Sequence, residues 1–249
     1  MISQETFNQL YDMHLSALAR DIKERHTQPS FIELGFDEQL SLLIDKEWHR
    51  RRERRTADLI KAANFCYNNA SVQELDYSVE RGLTKKQINE FAECSYITSG
   101  HNIIIMGATG VGKSYLACVL GISACRSRYT CRYVRTPNLL DELAIAKVSG
   151  STRQIIRQYA KPKLLILDEW LLTQVSSQGL EDIFEIIDCR SVEKTSTIFC
   201  SQIDVSEWLQ MLGDSLIGEG LLDRVIHISH NLVLNGDSMR KKNGLKQSS

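Results

Sequence analysis

The spacing of apolar positions changes along the chain. Over residues 1 to about 95 apolar side chains recur at helical spacing without a convincing strand, which predicts an all-helical region. From about residue 96 onward, short apolar runs alternate with helical stretches. The predicted strands are residues 102–106, 131–135, 164–167, 197–200 and 232–234.

This alternation predicts an α/β fold in which helices cover both faces of a parallel sheet. Thr136 followed by Pro137 has the arrangement that begins a helix after the second strand. We therefore divide the chain into a small helical N-terminal domain, residues 1–95, and an α/β domain, residues 96–249. The first domain is expected to serve oligomerisation or contacts with DNA or a partner.

The composition, 43% hydrophobic and 24% charged, is typical of a globular protein. A net charge of -1 argues against a uniformly basic nucleic-acid coat, but it allows local basic surfaces. The seven cysteines are scattered without a Cys-x-x-Cys pair, which indicates free thiols rather than a zinc site. No signal peptide or membrane-length apolar run is visible, so we expect a cytoplasmic protein without a membrane partner.

Residues 107–114, Gly-Ala-Thr-Gly-Val-Gly-Lys-Ser, follow a predicted strand and open a predicted helix, the context of a phosphate-binding P-loop. Glycines let successive backbone amides face phosphate oxygens, and the helix N-terminus adds partial positive charge. Lys113 is placed to reach the β- and γ-phosphates, and the Ser114 hydroxyl to bind Mg²⁺. The residues predicted to bind ATP are Gly107, Ala108, Thr109, Gly110, Val111, Gly112, Lys113, Ser114, Tyr115 and Asp168.

A second acidic motif follows about 55 residues later, where the apolar run at residues 164–167 ends in Asp168 and Glu169. Asp168 has the position of a Walker B aspartate and is predicted to bind Mg²⁺ together with Ser114. Glu169 is predicted to orient and deprotonate the attacking water. Alone, this run also fits a strand that enters an acidic turn. Beside a P-loop, the pair favours ATP hydrolysis over phosphoryl transfer to a small acceptor.

Together, these motifs resemble those of the AAA+ ATPases of the DnaC/IstB group. Thr-Ile-Phe-Cys-Ser-Gln at residues 197–202, Leu-Asp-Arg at 222–224 and Gly-Asp-Ser-Met-Arg at 236–240 extend the resemblance. Upstream segments, among them residues 36–40 and 74–77, are similar to IstB, the ATPase helper encoded beside the transposase in one class of bacterial insertion sequences. The resemblance covers about residues 7 to 242. It implies an AAA+ fold whose helical lid is reduced or absent.

The resemblance also implies roles for three polar residues downstream. Gln202 has the position of sensor 1, where asparagine is common in the family. Arg224 has that of an arginine finger that reaches the nucleotide of a neighbouring subunit, which requires an ATP-dependent homo-oligomer. Arg240 has that of the sensor-2 arginine. From the residues alone, Arg224 also fits a surface ion pair with Asp223 or Glu219, and Arg240 fits a solvated basic tail.

Two basic segments are candidates for contact with DNA phosphates. Residues 46–61 hold seven basic against three acidic side chains, and a second basic segment precedes the Walker B strand. The candidate residues are Arg51, Arg52, Arg55, Lys147, Arg153, Arg157 and Lys161. Each segment also fits an ordinary solvated helix face. Neither carries regularly interleaved aromatic residues for stacking on bases, which favours duplex over single-stranded DNA.

The leading hypothesis is therefore an ATPase that assembles on duplex target DNA and recruits the cognate transposase of an insertion sequence. The alternative is a DnaC-like loader that delivers a replicative helicase to single-stranded DNA. The ATPase core does not separate the two, whereas the N-terminal resemblance to IstB favours the first. A third hypothesis, a P-loop small-molecule kinase, is opposed by the Asp-Glu pair and the two downstream arginine motifs.

Overall fold

The computed structural model describes residues 3–78, 81–213 and 215–239, and the chain forms two compact units, Met1–Ala57 and Asp58–Ser249. The described part of the first unit is helical. Its helices are α1 (Gln4–Asp12), α2 (Ser16–Arg25), α3 (Pro29–Ile32) and α4 (Phe36–Ala63), the last of which continues past the boundary. The predicted helical character of this region is confirmed over these residues.

Ion pairs connect α2 to α4 within the first unit. The buried Asp21 carboxylate accepts hydrogen bonds from Lys46 Nζ at 2.5 Å and from Arg50 Nη2 at 2.6 Å. Burial alone raises the pKa of Asp21, but the bonds and charges of Arg50 and Lys46 outweigh it and lower the pKa. Arg50 also donates to Glu47 at 2.7 Å. Part of the basic run on α4 therefore stabilises its own unit.

The second unit is built on a five-stranded parallel sheet in the order β2-β3-β4-β1-β5. The strands are β1 (Asn102–Met106), β2 (Cys131–Arg135), β3 (Leu164–Trp170), β4 (Ser196–Ser201) and β5 (Ser229–Val233). The helices are α5 (Lys85–Ala92), α6 (Ser95–Ser99), α7 (Lys113–Arg126), α8 (Thr136–Val148), α9 (Thr152–Ala160), α10 (Ser177–Val192), α11 (Trp208–Met211) and α12 (Leu216–Ile226). Short 3-10 turns lie at Val72–Glu74 and Val205–Glu207. The predicted parallel sheet is confirmed.

Helices cover both faces of this sheet, as predicted. Successive side chains of a strand point to opposite faces, so Ile103 and Ile105 of β1 enter one core cluster, whereas Ile104 and Met106 enter another. Side chains of α5, α6 and α7 complete the first cluster, and side chains of α8 to α12 complete the second. All five residues of β1 are buried. The loop after β1 therefore leaves the carboxyl edge of the sheet from an internal strand, between β4 and β5.

Residues 58–95 group with the sheet rather than with the first unit. Phe65 and Ile88 are buried in the core cluster that contains α7 and one face of the sheet. The sequence placed the domain boundary near residue 95 because no strand precedes that position. Burial of apolar side chains, rather than the type of secondary structure, sets the compact boundary at Asp58. The functional division at residue 95 remains a prediction.

The described chain beyond β5 is short, residues 234–239, and among them only Met239 has a helical conformation. The backbone of this segment follows the sheet edge, where Leu234 N–H donates to Met106 O at 2.8 Å and Asn235 N–H donates to Arg81 O at 3.2 Å. Every helix within residues 3–78, 81–213 and 215–239 is too short or too polar to cross a bilayer.

Candidate functional site

The P-loop connects the end of β1 to the start of α7, and residues that follow β5 pack tightly against its glycines. Gly107 has φ 150°, and a Cβ there would lie 2.4 Å from Leu234 O. Gly110 has φ 84°, and a Cβ there would lie 2.3 Å from Ser238 Oγ. Gly110 O also accepts from Met239 N at 2.9 Å. Both positions therefore require glycine, for backbone conformation and for space.

Lys113 is the first residue of α7, and its side chain is buried. Its Nζ donates to Gly107 O at 2.6 Å and to Ala108 O at 2.9 Å, so the ammonium lies against the loop backbone. Burial lowers the pKa of Lys113, and the negative charge of Asp168 opposes this shift. Lys113, the predicted phosphate-binding cation, therefore lies close enough to Asp168, the predicted Walker B aspartate, for their charges to interact.

Asp168 is buried at the carboxyl end of β3, and hydrogen bonds orient its carboxylate. Its Oδ2 accepts from Tyr133 Oη at 2.5 Å, and its Oδ1 accepts from Glu169 N at 2.9 Å. Tyr133 comes from the neighbouring strand β2, whose parallel register places the two side chains together. Burial and the Asp168 carboxylate raise the pKa of Tyr133, so the phenol remains a donor.

Glu169 is held by Arg135, which is not among the predicted site residues. Its backbone has φ 55°, in the left-handed region, which redirects the chain after Asp168. Glu169 Oε1 accepts from Arg135 Nη2 at 2.5 Å, and Arg135 is the last residue of β2. Glu169 Oε2 is buried and has no hydrogen-bond partner among the described residues. One carboxylate oxygen is therefore fixed, while the other can accept a proton.

Gln202 lies beside the P-loop, as its predicted sensor position requires. It follows β4, which lies between β1 and β3 in the sheet, so its side chain reaches the loop edge. Thr109 Oγ1 donates to Gln202 Oε1 at 2.5 Å. Gln202 therefore contacts the P-loop directly. Its role in sensing the nucleotide remains a prediction.

A cavity of about 530 Å³ opens beside the P-loop, within the usual size range of ligand pockets. The loop and the start of α7 form one wall through Gly110, Gly112, Lys113, Ser114 and Tyr115. The opposite wall, called the wall at residues 67–83 below, is formed largely by Tyr67, Glu74, Leu75, Asp76, Arg81 and Leu83. Tyr115 joins the walls, since its Oη donates to Glu74 Oε2 at 2.6 Å and its ring meets that of Tyr67 edge-on. The cavity is the candidate nucleoside pocket.

The donor set near the loop fits Mg²⁺. Ser114 and Asp168 offer hydroxyl and carboxylate oxygens, the hard ligands that Mg²⁺ prefers. The described residues contain no group of three or more His, Cys, Asp or Glu that could form a metal site by itself. Two protein oxygens suit a cation that takes its remaining ligands from nucleotide phosphates and water.

Arg224 forms an ion pair within the chain, but with a different partner from those considered in the sequence. Its Nε donates to Asp188 Oδ1 at 2.8 Å, rather than to Asp223 or Glu219. Asp188 lies in the last turns of α10, which leads toward the amino end of β4, whereas the P-loop lies at the carboxyl edge of the sheet. Arg224 therefore points away from the P-loop of its own chain. Arg240 lies outside the described residues.

The basic segment of α4 is partly engaged inside the first unit. Arg51 Nε donates to Glu47 Oε1 at 2.7 Å. The Arg52 guanidinium lies 5.2 Å from the centroid of the Trp48 ring. Arg55 is exposed and forms no ion pair within the described part of the chain. Of the three candidates on α4, Arg52 and Arg55 are thus the more available for an external anion.

The second basic segment contains one internal and three exposed cations. Lys147 Nζ pairs with the buried Asp182 carboxylate at 2.8 Å, which gives it a structural partner. Arg153, Arg157 and Lys161 are exposed at four-residue spacing along α9 and its C-terminal cap. No ion pair involves them among the residues that the structure describes. These three residues are called the α9 stripe below.

Sequence reasoning missed Tyr133, Arg135 and the cavity wall at residues 67–83. The first two stand on a predicted strand, but only the order of strands brings them to Asp168 and Glu169. The wall residues precede the P-loop by about 30 residues and carry no phosphate-binding motif. The only sequence signal was the presence of apolar residues such as Leu75 and Leu83 in a segment that was predicted to belong to a separate domain.

Comparison with solved structures confirms an AAA+ fold. The DnaC helicase loader aligns with a TM-score of 0.57 at 21% identity, over 67% of this chain and 97% of that one. A replication initiator, DnaA bound to AMPPCP and single-stranded DNA, aligns with a TM-score of 0.59 at 18% identity, over 74% of this chain and 56% of that one. At these identities the likeness concerns the fold alone.

Sequence comparison identifies the family. The family described as IstB-like ATP binding protein matches residues 8–247. A protein described as the ATP-binding protein of insertion sequence IS1162 of Pseudomonas fluorescens is 39% identical over 83% of this chain and 89% of its own length. An insertion-sequence ATP-binding protein of Sinorhizobium fredii is 34% identical over 97% of this chain and 98% of its own. The chain therefore belongs to the IstB-like family of ATP-binding proteins found in insertion sequences.

Proposed function

We propose that this chain hydrolyses ATP, assembles on duplex DNA in its ATP-bound form, and assists the transposase of an insertion sequence. The geometry at Glu169 is the observation that carries hydrolysis. One oxygen of this carboxylate pairs with Arg135, and the other is buried without a partner among the described residues. A carboxylate so placed, next to the Walker B aspartate, is suited to accept a proton from water.

In this proposal the loop amides and Lys113 bind the triphosphate. Glu169 accepts a proton as the water oxygen bonds to the γ-phosphorus, and the bond from phosphorus to the bridging oxygen breaks to release ADP. Mg²⁺, bound by Ser114 and Asp168, would neutralise charge on the phosphate oxygens. Gln202, in contact with Thr109, is placed to respond to the γ-phosphate.

The proposed oligomer rests on Arg224. Because Arg224 points away from its own P-loop, a contact with nucleotide requires a neighbouring copy of the chain. Arg240 is proposed to read the γ-phosphate of its own subunit. Guanidinium groups stabilise charge on phosphoryl oxygens, so ATP bound between copies would hold them together.

Two separate patches are proposed to contact DNA: the α9 stripe in the second unit, and the exposed Arg52 and Arg55 in the first. Exposed cations without ion pairs can neutralise phosphates and release counterions. Such contacts give salt-dependent affinity with little base specificity. The names of the relatives link the family to insertion sequences, and on that ground we propose the transposase of the same element as partner. The α9 stripe is the surface on which the DNA test rests.

The hydrolysis step is tested with Glu169→Gln, using Glu185→Gln as a matched control because Glu185 is exposed on α10. We expect turnover to fall by about 100-fold or more, because the amide cannot accept the proton, while ATP affinity stays within twofold. Assemblies on duplex DNA should persist with ATP. Turnover equal to that of wild type would show that another residue is the base.

The DNA surface is tested by replacing Arg153, Arg157 and Lys161 together with alanine. The control triple of Lys85, Lys86 and Arg126 changes the same net charge at exposed positions on the α5 and α7 side of the sheet. If all three stripe residues contact phosphates, the slope of log affinity against log salt should fall by about 2.7, or 0.9 for each contact. An unchanged slope would exclude the stripe.

The same binding series distinguishes the alternatives. Duplex preference with ATP-dependent growth of particles supports the proposed function. Preference for single strands, with growth only when a helicase is added, favours the helicase loader, a fold neighbour. A small-molecule kinase would stay nearly idle with ATP and DNA alone.

A further inference from the structure

Arg81 connects the wall of the cavity to the P-loop. The residue is buried, with 6% of its surface exposed. Its Nη2 donates to Val111 O in the loop at 2.5 Å, and its own carbonyl accepts from Asn235 N at 3.2 Å. The guanidinium is therefore held by the P-loop, whereas the backbone of Arg81 is held by the chain that follows β5.

Two of the three guanidinium nitrogens of Arg81 remain unused. Nε and Nη1 are buried and have no hydrogen-bond partner within residues 3–78, 81–213 and 215–239. No carboxylate in that part of the chain forms an ion pair with Arg81. A buried cation without a counter-charge is costly, and each unpaired donor adds to that cost. This arrangement indicates an anion that the described chain does not itself supply.

The position of Arg81 within the cavity indicates which anion fits. Gly112, Lys113 and Ser114 line the phosphate side, and Leu75 and Leu83 line the apolar side. A nucleotide that places its terminal phosphates in the P-loop and its base against the apolar wall must pass its α-phosphate between them. Arg81 lines the cavity and also contacts the loop, so it lies at this junction.

We propose that Arg81 is a nucleotide-binding residue whose Nε and Nη1 donate to the α-phosphate of ATP or ADP while Nη2 stays on Val111 O. The nucleotide supplies the missing counter-charge, and Arg81 then contacts both the nucleotide and the P-loop. This inference rests on nucleotide binding at the P-loop, but it is independent of the DNA and transposase roles.

The test compares Arg81→Met and Arg81→Lys with wild type and with Lys86→Met, whose side chain is 89% exposed. Two quantities are measured for each full-length protein: the thermal midpoint without nucleotide, and the dissociation constants of ADP and AMPPCP by calorimetry. Arg81→Met should weaken both nucleotides equally, by about tenfold or more, because both carry the α-phosphate. Its midpoint without nucleotide should not fall below that of the control, because an unpaired buried charge has been removed.

Arg81→Lys should recover part of the affinity, because it keeps the charge. Three results would overturn the proposal. Nucleotide affinity of Arg81→Met within twofold of the control would exclude a contact. A loss confined to AMPPCP would assign Arg81 to the γ-phosphate instead. A lower midpoint without nucleotide, together with weakened binding, would mean that Arg81 only supports Val111.

Lys113→Ala separates failure of this inference from failure of the site. If Lys113→Ala binds ADP as well as wild type does, the P-loop is not the nucleotide site and the proposed function falls with it. If Lys113→Ala loses binding while Arg81→Met does not, only the assignment of Arg81 fails.

Discussion

Arg135 holds the side chain proposed as the general base, so its removal tests whether this ion pair restrains hydrolysis. Arg135 Nη2 and Glu169 Oε1 are 2.5 Å apart, but the two side chains are 53% and 24% exposed. Solvent screens a pair of this exposure, which contributes about 0.2–1 kcal/mol. Because the ion pair stabilises the charged carboxylate and is weakened when Oε2 takes up the proton, that energy adds to the barrier. Since 1.36 kcal/mol is tenfold in rate, we expect Arg135→Ala to raise basal turnover by up to about fivefold.

The assay is phosphate release at saturating ATP without DNA, accompanied by an ATP titration. Arg135→Lys is the matched control because it preserves the charge, and it should stay near the wild-type rate. ATP affinity should not change in either variant. A tenfold loss of turnover in Arg135→Ala at unchanged affinity would refute the restraint, because Arg135 would then be supporting the reaction. The Arg135→Ala, Glu169→Gln double variant should show no increase over Glu169→Gln.

Three further variants or measurements test the site. Lys113→Ala should weaken ATP binding by about 3 kcal/mol, roughly 100-fold, because each hydrogen bond of a charged group contributes about 1.5–3 kcal/mol; unchanged affinity in a nucleotide titration would contradict the P-loop assignment. Gly107→Ala should cost about 1–3 kcal/mol of stability in urea unfolding and weaken ATP binding, because its Cβ would overlap Leu234 O. A hydrogen bond with Cys118 lowers the pKa of Cys66 to about 7, so the thiolate fraction and alkylation by iodoacetamide should rise through pH 7 and level off near pH 8, about one unit above the pKa, as followed by mass spectrometry. A rate that keeps rising beyond pH 8, like that of a simple thiol, would exclude this lowering.

The positions of the P-loop and of the acidic pair in β3 were predictable because contiguous residues carry each motif. Strands β1 and β2 have the predicted bounds, and α7 begins at Lys113 as the motif requires. Strand β3 continues to Trp170, beyond the predicted end at residue 167, because Trp170 pairs with Ser201 after an irregularity in the ladder. The acidic pair suggested a turn, but pairing with β4 extends the strand.

Strand β5 begins before the residue at which the apolar pattern predicted its start. The prediction was residues 232–234, whereas the strand is Ser229–Val233. His230 and Asn231 are exposed because β5 is an edge strand that pairs only with β1. Backbone hydrogen bonds to β1, rather than burial of side chains, form the first part of this strand. Apolar periodicity therefore carried no signal for it.

Long-range partners of charged residues were the least predictable feature of the site. Lys147 belonged to a basic segment in the sequence, yet Asp182, 35 positions away, pairs with it. Arg224 was weighed against its near neighbours, but Asp188 is its partner. Arg81 is the reverse case, a buried cation that no described carboxylate neutralises. Which charges remain available depends on helix packing, which short-range spacing does not encode.

The hydrogen bond from Met239 N to Gly110 O couples the stability of the chain after β5 to that of the P-loop. If nucleotide stabilises the loop, it also slows every opening that breaks this bond, and the Met239 amide should exchange with deuterium more slowly when the site is filled. Linkage is reciprocal, so a partner that pulls on this segment would weaken nucleotide binding by the same free energy. A partner that displaces the chain after β5 would therefore promote release of the nucleotide.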